Sequence, residues 1–155
     1  MWDNTKSLKL SLFITRVFWV ALILFAIFAY PFFKWYVTGY ISDTRNFVVT
    51  LLTVSAYFAM PPAAVTLGCL NKLLVNISKK ITFEQENVKL LRIISWCCFY
   101  ITAEGIILSI IYAPHISFSF IIITVAAFFV GLIVRVVKNV FVSAIEIKEE
   151  NELTI

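Results

Sequence analysis

The sequence contains few charged residues, and they leave long stretches of the chain without any charge. Asp, Glu, Lys and Arg make up 14% of the 155 residues, whereas hydrophobic residues make up 61%. Residues 46–71 carry no charge, and between Arg92 and Arg135 the only charged side chain is Glu104. Soluble domains are usually about 45–50% apolar. The composition therefore excludes an ordinary soluble domain and predicts an integral membrane protein.

The residue types that carry most catalytic and metal chemistry are also scarce. The chain has three cysteines (Cys69, Cys97 and Cys98) and one histidine, His115. An odd number of cysteines, all within or at the ends of apolar runs, argues against a disulfide framework. No nucleophile–base pair, metal-ligand spacing, paired carboxylate or glycine-rich phosphate loop is present. We therefore predict no catalytic residue, no metal and no cofactor, and expect that the protein is not an enzyme.

Four apolar runs are long enough to cross a bilayer, which takes about 20 residues of helix. They cover residues 12–33, 47–70, 93–112 and 116–137. Residues 71–92 are predicted to form a cytoplasmic loop, residues 138–155 a cytoplasmic tail, and Ala113, Pro114 and His115 a tight turn. The Thr82–Gln85 spacing matches a capping box, which predicts that helix 3 begins there. We expect one all-α domain, a bundle of four transmembrane helices with helices 3 and 4 extending into the cytoplasm.

The basic residues indicate the orientation of this bundle. Cytoplasmic segments of membrane proteins carry an excess of Lys and Arg, and Lys34 and Arg45 are the only two basic residues on one side of the predicted spans. The other eleven are Lys6, Lys9, Arg16, Lys72, Lys79, Lys80, Lys89, Arg92, Arg135, Lys138 and Lys148. Both termini are therefore predicted to be cytoplasmic. Because these residues border apolar runs, the net charge of +4 predicts contact with the lipid bilayer and no direct nucleic-acid binding.

Glu104 lies near the midpoint of the third run, where a charge costs about 2.5–3.5 kcal/mol on insertion scales. Counting equal steps from Pro114 places Ile123 and Thr124 at the same depth on the fourth helix. No cation lies at this depth, so the neutral carboxyl is favoured, and the Thr124 hydroxyl could hydrogen-bond to it. Two interpretations remain open: a proton, cation or ligand site, or a neutral side chain that holds helices together.

Pro61 and Pro62 are expected to interrupt the backbone hydrogen bonds of the second span, because neither can donate one. Broken helices at mid-membrane often mark binding sites in transporters, but those breaks usually occur in matched pairs, and none matches here. A kink that serves packing is the favoured interpretation. The alternative is a small polar site formed by Pro61, Pro62, Glu104 and Thr124.

The fourth helix continues as an amphipathic segment beyond its predicted span. Val137, Val140, Phe141, Ala144 and Ile145 fall on one helical face. The middle segment likewise combines charge with an apolar stripe, as helices that dock a partner do. The alternative is an ordinary solvated helix end.

Two segments carry a resemblance to a known family. Residues 81–96, ITFEQENVKLLRIISW, are similar to a "PF..EN...LR.IGW" stretch of the YoaS-like family, a bacterial domain of unknown function, with Thr82 in place of a common proline and Ser95 in place of a glycine. Residues 146–155, EIKEENELTI, are similar to its "lKEENDLTI" terminus. The resemblance implies a small four-helix protein of the bacterial inner (plasma) membrane with no established activity. Such proteins are often encoded beside a small helix-turn-helix regulator.

Three functional hypotheses follow. The first is a regulatory membrane protein whose cytoplasmic loop and tail bind a small helix-turn-helix DNA-binding protein. The second is a small transporter, channel, or ligand or proton sensor centred on Glu104. The third is a structural subunit of a larger membrane complex, and a homo-oligomer is also left open. The first hypothesis assigns partner binding to Phe83, Glu86, Asn87, Arg92, Lys148, Glu149, Glu150, Asn151, Leu153, Thr154 and Ile155.

Overall fold

A computed structural model describes residues 4–41, 46–82, 84–111 and 118–153. The regular elements within these residues are helices, which confirms the predicted all-α fold. They are α1 (Asn4–Tyr36), α2 (Asn46–Ser78), α3 (Gln85–Ile111), α4 (Phe118–Leu153) and a π-helical turn, Val37–Ile41, that directly follows α1. The predicted turn at Ala113, Pro114 and His115 lies outside the described residues.

All four α-helices are long and apolar enough to cross a membrane. At 1.5 Å per residue, the 33 residues of α2 and the 36 residues of α4 extend for about 50 and 54 Å. The hydrocarbon core of a bilayer is about 30 Å thick. Large apolar side chains also face outward: Phe13 is 64% exposed and Ile110 is 73% exposed. These features identify a multi-pass membrane protein.

The helices alternate in direction along the bundle. The Tyr57 hydroxyl of α2 donates to the Ala26 carbonyl of α1 at 2.9 Å, and the Ser95 hydroxyl of α3 donates to the Gly131 carbonyl of α4 at 3.0 Å. Between α2 and α3, the turn is short and the helices pack side by side. The start of α1, the end of α2, the start of α3 and the end of α4 therefore share one end of the bundle. We call it the basic end, because it carries the eleven basic residues predicted to be cytoplasmic.

The connection between α2 and α3 differs from the predicted loop. Residues 71–92 are mostly helical, because α2 continues to Ser78 and α3 starts at Gln85. An apolar stripe at four-residue spacing, Cys69, Leu73 and Ile77, continues α2 past the predicted span. Leu73 is buried, and the stripe packs against α3. Both helices therefore extend further into residues 71–92 than the predicted spans do, and the polar residues of this segment include the buried Asn87, which bonds to Asn76.

The capping-box prediction is correct in starting α3 within residues 82–85 and wrong about the capping residue. The helix begins at Gln85, three residues beyond Thr82, so Thr82 is not its N-cap. The carbonyl of Glu84 accepts the Asn87 amide at 3.0 Å. At the end of α2, Lys80 adopts a left-handed backbone with φ of 62°, and the Ile81 amide donates to the Asn76 carbonyl at 3.0 Å. This is the hydrogen-bond pattern of a Schellman motif.

A hydrophobic cluster holds the extension of α4 against the other helices at the basic end. Leu73, Leu90 and Leu91 are buried together, with Val134 and Phe141 of α4 packed against them. Further along the same face of α4, Ile145 is only 3% exposed. The segment after the predicted fourth span is therefore a packed part of the bundle.

The amphipathic face predicted for this extension is partly correct. Phe141 and Ala144 are partly buried beside the buried Ile145, but Val140 is 61% exposed. Residues turn by about 100° each along a helix, so Val140 lies to one side of the face that contains Phe141 and Ile145. Val137 is also 38% exposed.

Candidate functional site

Glu104 lies on α3 at the wall of a cavity that reaches all four helices. The cavity has a volume of about 340 Å³. Most of its lining is apolar, and the hydroxyl-bearing residues are Ser55 of α2 and Thr124 of α4. The other lining residues are Leu22, Phe25, Phe33, Leu52, Ala56, Ala59, Met60, Ala63, Ile101, Gly105, Leu108 and Ile123. The acidic side chain thus contributes to a space inside the bundle.

Glu104 also lines a second cavity, which lies between α2 and α3. This cavity has a volume of about 290 Å³, and its walls include the exposed residues Tyr100 and Phe58. Ser55, Glu104 and Leu108 are common to both cavities. Glu104 therefore lies where the cavity shared by the four helices, called the central cavity below, adjoins the second cavity between α2 and α3.

One oxygen of the Glu104 carboxyl lacks a hydrogen-bond partner. Oε2 is buried and receives no hydrogen bond from the residues that the structure describes. Leaving a buried polar group unsatisfied costs about 1–3 kcal/mol. A ligand, cation or water that supplied a donor or a positive charge would recover part of this cost. Glu104 Oε2 is therefore a buried acceptor at the wall of a cavity.

The prediction that Ile123 and Thr124 of α4 lie level with Glu104 of α3 is confirmed. Ile123 and Thr124 line the same cavity as Glu104. Gly105, the next residue on α3, lies so close to α4 that a Cβ built on it would be 2.4 Å from Thr124 Oγ1. Sequence reasoning missed Gly105, although small residues in membrane helices are enriched where two helices approach closely.

Pro61 and Pro62 do not contribute to either cavity that contains Glu104. α2 is assigned as one continuous helix through both prolines, and Met60 and Ala63 line the central cavity instead. The predicted interruption of the second span is therefore not a break in the helix. Of the four residues proposed for a polar site, the structure brings together Glu104 and Thr124 and leaves out the two prolines.

Asn87, predicted to bind a partner, instead holds the turn between α2 and α3. Its side chain is fully buried. The Nδ2 atom donates to the carbonyls of Ile81 (2.8 Å) and Thr82 (2.7 Å), and Oδ1 accepts from Asn76 Nδ2 (2.8 Å). Because Asn87 has no exposed surface, the prediction that it contacts a partner was wrong. The sequence pattern alone could not distinguish an exposed asparagine from a buried one.

The neighbouring Glu86 is exposed and bonds within the same turn. Its carboxylate forms an ion pair with Lys72 of α2, with both side chains about half exposed, and accepts a weaker hydrogen bond of 3.3 Å from Asn76 Nδ2. An exposed pair of this kind contributes little to stability, typically less than about 1 kcal/mol. Glu86 and the exposed Arg92 therefore remain accessible at the basic end.

The predicted residues of the tail lie on the last turns of α4. Lys148, Glu149, Glu150 and Asn151 are exposed. Leu153 is the last residue of the helix, with its side chain outside the described part. Phe83, Thr154 and Ile155 also lie outside the described residues.

The cysteines and acidic residues do not form a metal centre in the described part of the chain. Cys69, Cys97 and Cys98 are free thiols, and no group of three His, Cys, Asp or Glu residues there could hold a metal ion. Cys97 and Cys98 are adjacent on a helix, so their side chains point about 100° apart.

Comparisons with known proteins give one finding at the level of family. Neither the curated proteins nor the solved structures contain a match to this chain. A family model described as "Protein of unknown function (DUF2975)" matches residues 3–155. This confirms the expectation of a family without an established activity. Since the match covers almost the entire sequence, the chain belongs to the DUF2975 family of proteins of unknown function.

Proposed function

We propose that this protein is a small regulatory membrane protein that binds a soluble partner at its basic end. The observation that carries the proposal is an exposed apolar strip on α4, beyond Lys138. Val140 and Ile147 are 61% and 59% exposed and lie on the same side of the helix, two turns apart. Apolar side chains that are aligned on a helix outside the hydrocarbon region favour contact with a second surface.

The opposite face of α4 explains why this strip could act as a binding surface. Phe141 packs against the cluster of α2 and α3, and the buried Ile145 continues that face. Residues 135–153 extend for about 28 Å, so the bundle holds an ordered helix with its strip turned outward. A shallow groove along the strip also includes Asn139, Ser143 and Ala144. Partner helices dock on surfaces with this combination of an apolar line and polar edges.

The cytoplasmic side of the membrane and the family resemblance together support one kind of partner. The excess of Lys and Arg at the basic end supports a cytoplasmic location for both termini. The resemblance of residues 81–96 and 146–155 to the YoaS-like family supports a small helix-turn-helix DNA-binding protein as the partner. In this proposal the membrane protein holds the regulator away from DNA and releases it when the bundle changes state.

Co-purification of the adjacently encoded regulator tests the proposal. We expect the full chain to retain the regulator, and a chain truncated after Ile145 to lose it. A double variant, Val140→Ser with Ile147→Ser, should also lose it. The matched control is Val137→Ser, which makes the same change on the same helix outside the groove. Equal recovery with the full and truncated chains would exclude a role for the tail.

A second function is favoured by the unsatisfied Glu104 oxygen. In this alternative, the central cavity binds a proton, a cation or a small cationic ligand, and the protein is a transporter, channel or sensor. A largely apolar wall with one carboxyl group suits a ligand that has an apolar body and a positive group. The second cavity beside Glu104 offers a route from the outer surface of the bundle.

Vesicles that contain the purified protein test this alternative. We expect Glu104→Gln to change proton or cation flux, or the response to a ligand, while the protein still assembles. Ser55→Ala is the matched control, because Ser55 lines the same two cavities but cannot ionise. If Glu104→Gln and Ser55→Ala both behave as the unmodified protein does, the carboxyl group has no such function.

A further inference from the structure

A smaller cleft at the basic end, between α3 and α4, combines three cations with two aromatic rings. It has a volume of about 200 Å³. Its lining residues are Arg92, Ser95, Trp96 and Phe99 of α3 together with Arg135 and Lys138 of α4. None of them belongs to the cavities around Glu104 or to the strip on α4. The three basic side chains therefore form a separate cluster at the basic end.

The register between the two helices brings these cations together. The buried Ser95 donates its hydroxyl to the Gly131 carbonyl at 3.0 Å and fixes α3 against α4. Arg92 lies about one turn before Ser95, and Arg135 lies about one turn after Gly131. Because the helices are antiparallel, both positions are displaced towards the basic end. Lys138 follows one turn later on α4, on the same side of the helix as Arg135.

These cations have no ion-pair partner among the described residues. Arg92, Arg135 and Lys138 form no ion pair with any residue in the described ranges, in contrast to the Lys72–Glu86 pair in the nearby turn. Arg92 and Arg135 are exposed and Lys138 is partly buried, and three like charges around one small cleft repel each other. An anion in the cleft would replace this repulsion with charge-assisted hydrogen bonds.

The position of the cleft along the helices indicates which anion would be near it. Between Arg92 and the end of α3, residues 93–111 rise by about 28 Å, and residues 118–134 of α4 rise by about 26 Å. Both distances are close to the hydrocarbon thickness of about 30 Å. A hydrocarbon core measured from the far ends of these two segments would end at the cleft, which is the level of the lipid headgroups. Trp96, which is 66% exposed, belongs to the residue type that concentrates at this interface.

We propose that this cleft binds a phosphate anion, held by Arg92, Arg135 and Lys138 between α3 and α4. Guanidinium groups bind phosphate oxygens in pairs of parallel hydrogen bonds, and the lysine adds a point charge. Basic clefts between transmembrane helices recognise anionic headgroups through the same chemistry. The phosphate at this depth is that of an anionic phospholipid or a free ion from solution.

Native mass spectrometry of the purified full chain in detergent tests the proposal. The probes are phosphatidylglycerol, phosphatidylcholine with the same acyl chains, and inorganic phosphate. We expect phosphatidylglycerol to be retained in preference to phosphatidylcholine. Arg92→Gln combined with Arg135→Gln should weaken its binding about 25-fold, at roughly fivefold for each basic residue removed. Lys79→Gln combined with Lys80→Gln is the matched control, because it removes the same charge outside the cleft.

The outcomes distinguish a lipid site, a site for free phosphate and attraction by net charge alone. Selective retention of phosphatidylglycerol that depends on the two arginines identifies a lipid site. Binding of inorganic phosphate with the same dependence identifies a site for the free ion and supports the same cleft. Equal retention of both lipids, with no binding of inorganic phosphate, overturns the proposal. An equal loss in the two double variants also overturns it, since net charge alone would then explain binding. Circular dichroism spectra check that both variants keep their helices.

Discussion

The replacement of Gly105 by alanine tests the closest contact between α3 and α4. A Cβ on this residue would lie 2.4 Å from Oγ1, 3.1 Å from Cγ2 and 3.2 Å from Cβ of Thr124. Ordinary van der Waals contact begins near 3.4 Å, so the nearest oxygen would be about 1 Å too close. Rotation of the Thr124 side chain could move Oγ1 and Cγ2, but its Cβ would remain too near. The helices would therefore have to separate by a few tenths of an ångström.

Overpacking of this kind costs about 1–3 kcal/mol, and we expect Gly105→Ala to lower the free energy of unfolding by that amount. Equilibrium unfolding in mixed micelles, followed by the helix content, measures the change. Gly68→Ala is the matched control, because a Cβ there would have Trp19 Cζ2 as its nearest neighbour, at 4.0 Å. That contact is ordinary, so the control should be close to neutral or slightly stabilising.

A second substitution identifies the atoms that cause the loss. Thr124→Ala removes Oγ1 and Cγ2 and leaves only the contact at 3.2 Å. In the Gly105→Ala background it should therefore recover most of the lost stability, and the double-mutant cycle should show a coupling of about 1 kcal/mol or more. If Gly105→Ala is as stable as Gly68→Ala and the cycle shows no coupling, the close approach of α3 and α4 at this level is refuted.

Three further substitutions give expected outcomes in the same unfolding assay. Asn87→Ala should destabilise the bundle by about 2–3 kcal/mol, because it removes the bonds to two buried carbonyls and to Asn76; a loss below 0.5 kcal/mol, roughly the effect of an average surface substitution, would contradict this role. Lys80→Gly should stabilise it by up to about 1 kcal/mol, since glycine adopts the positive φ at this position without the steric cost that lysine has; Lys79→Gly, one residue earlier, is the control and should not stabilise. Glu104→Leu should raise stability by about 1–3 kcal/mol, because it removes an unsatisfied buried oxygen; a clear loss would indicate that the carboxyl group holds the helices together.

Several properties followed from local sequence because they depend only on the bilayer and on helical geometry. Long runs without charge predicted four membrane helices, since the hydrocarbon core excludes charges and unpaired backbone groups. The depth of Glu104 and its level with Thr124 also followed from counting, because each residue of a helix advances by a fixed 1.5 Å. The distribution of Lys and Arg predicted which ends share one side, and the antiparallel helices gather those residues at one end.

Other predictions failed where polar residues belong to packed helices or are buried inside the fold. The segment 71–92 looked like a loop because its polar residues are frequent, yet the stripe of Cys69, Leu73 and Ile77 continues α2 against α3. Asn87 looked like a surface residue for a partner, but its amide satisfies the carbonyls of the turn. Thr82 matched a helix cap, but the turn held by Asn87 delays the start of α3 to Gln85.

The sequence by itself determined that this is a membrane protein with four long helices and that Glu104 lies level with Thr124. Each of these depends on the identity and spacing of neighbouring residues. Only the tertiary structure decided that Glu104 lines a cavity reaching all four helices, and that Arg92, Arg135 and Lys138 share one cleft. These arrangements depend on helix register and side-chain packing between segments far apart in the chain. The same packing leaves Glu104 Oε2 without a partner among the described residues, while it buries Asn87 in a fully bonded turn.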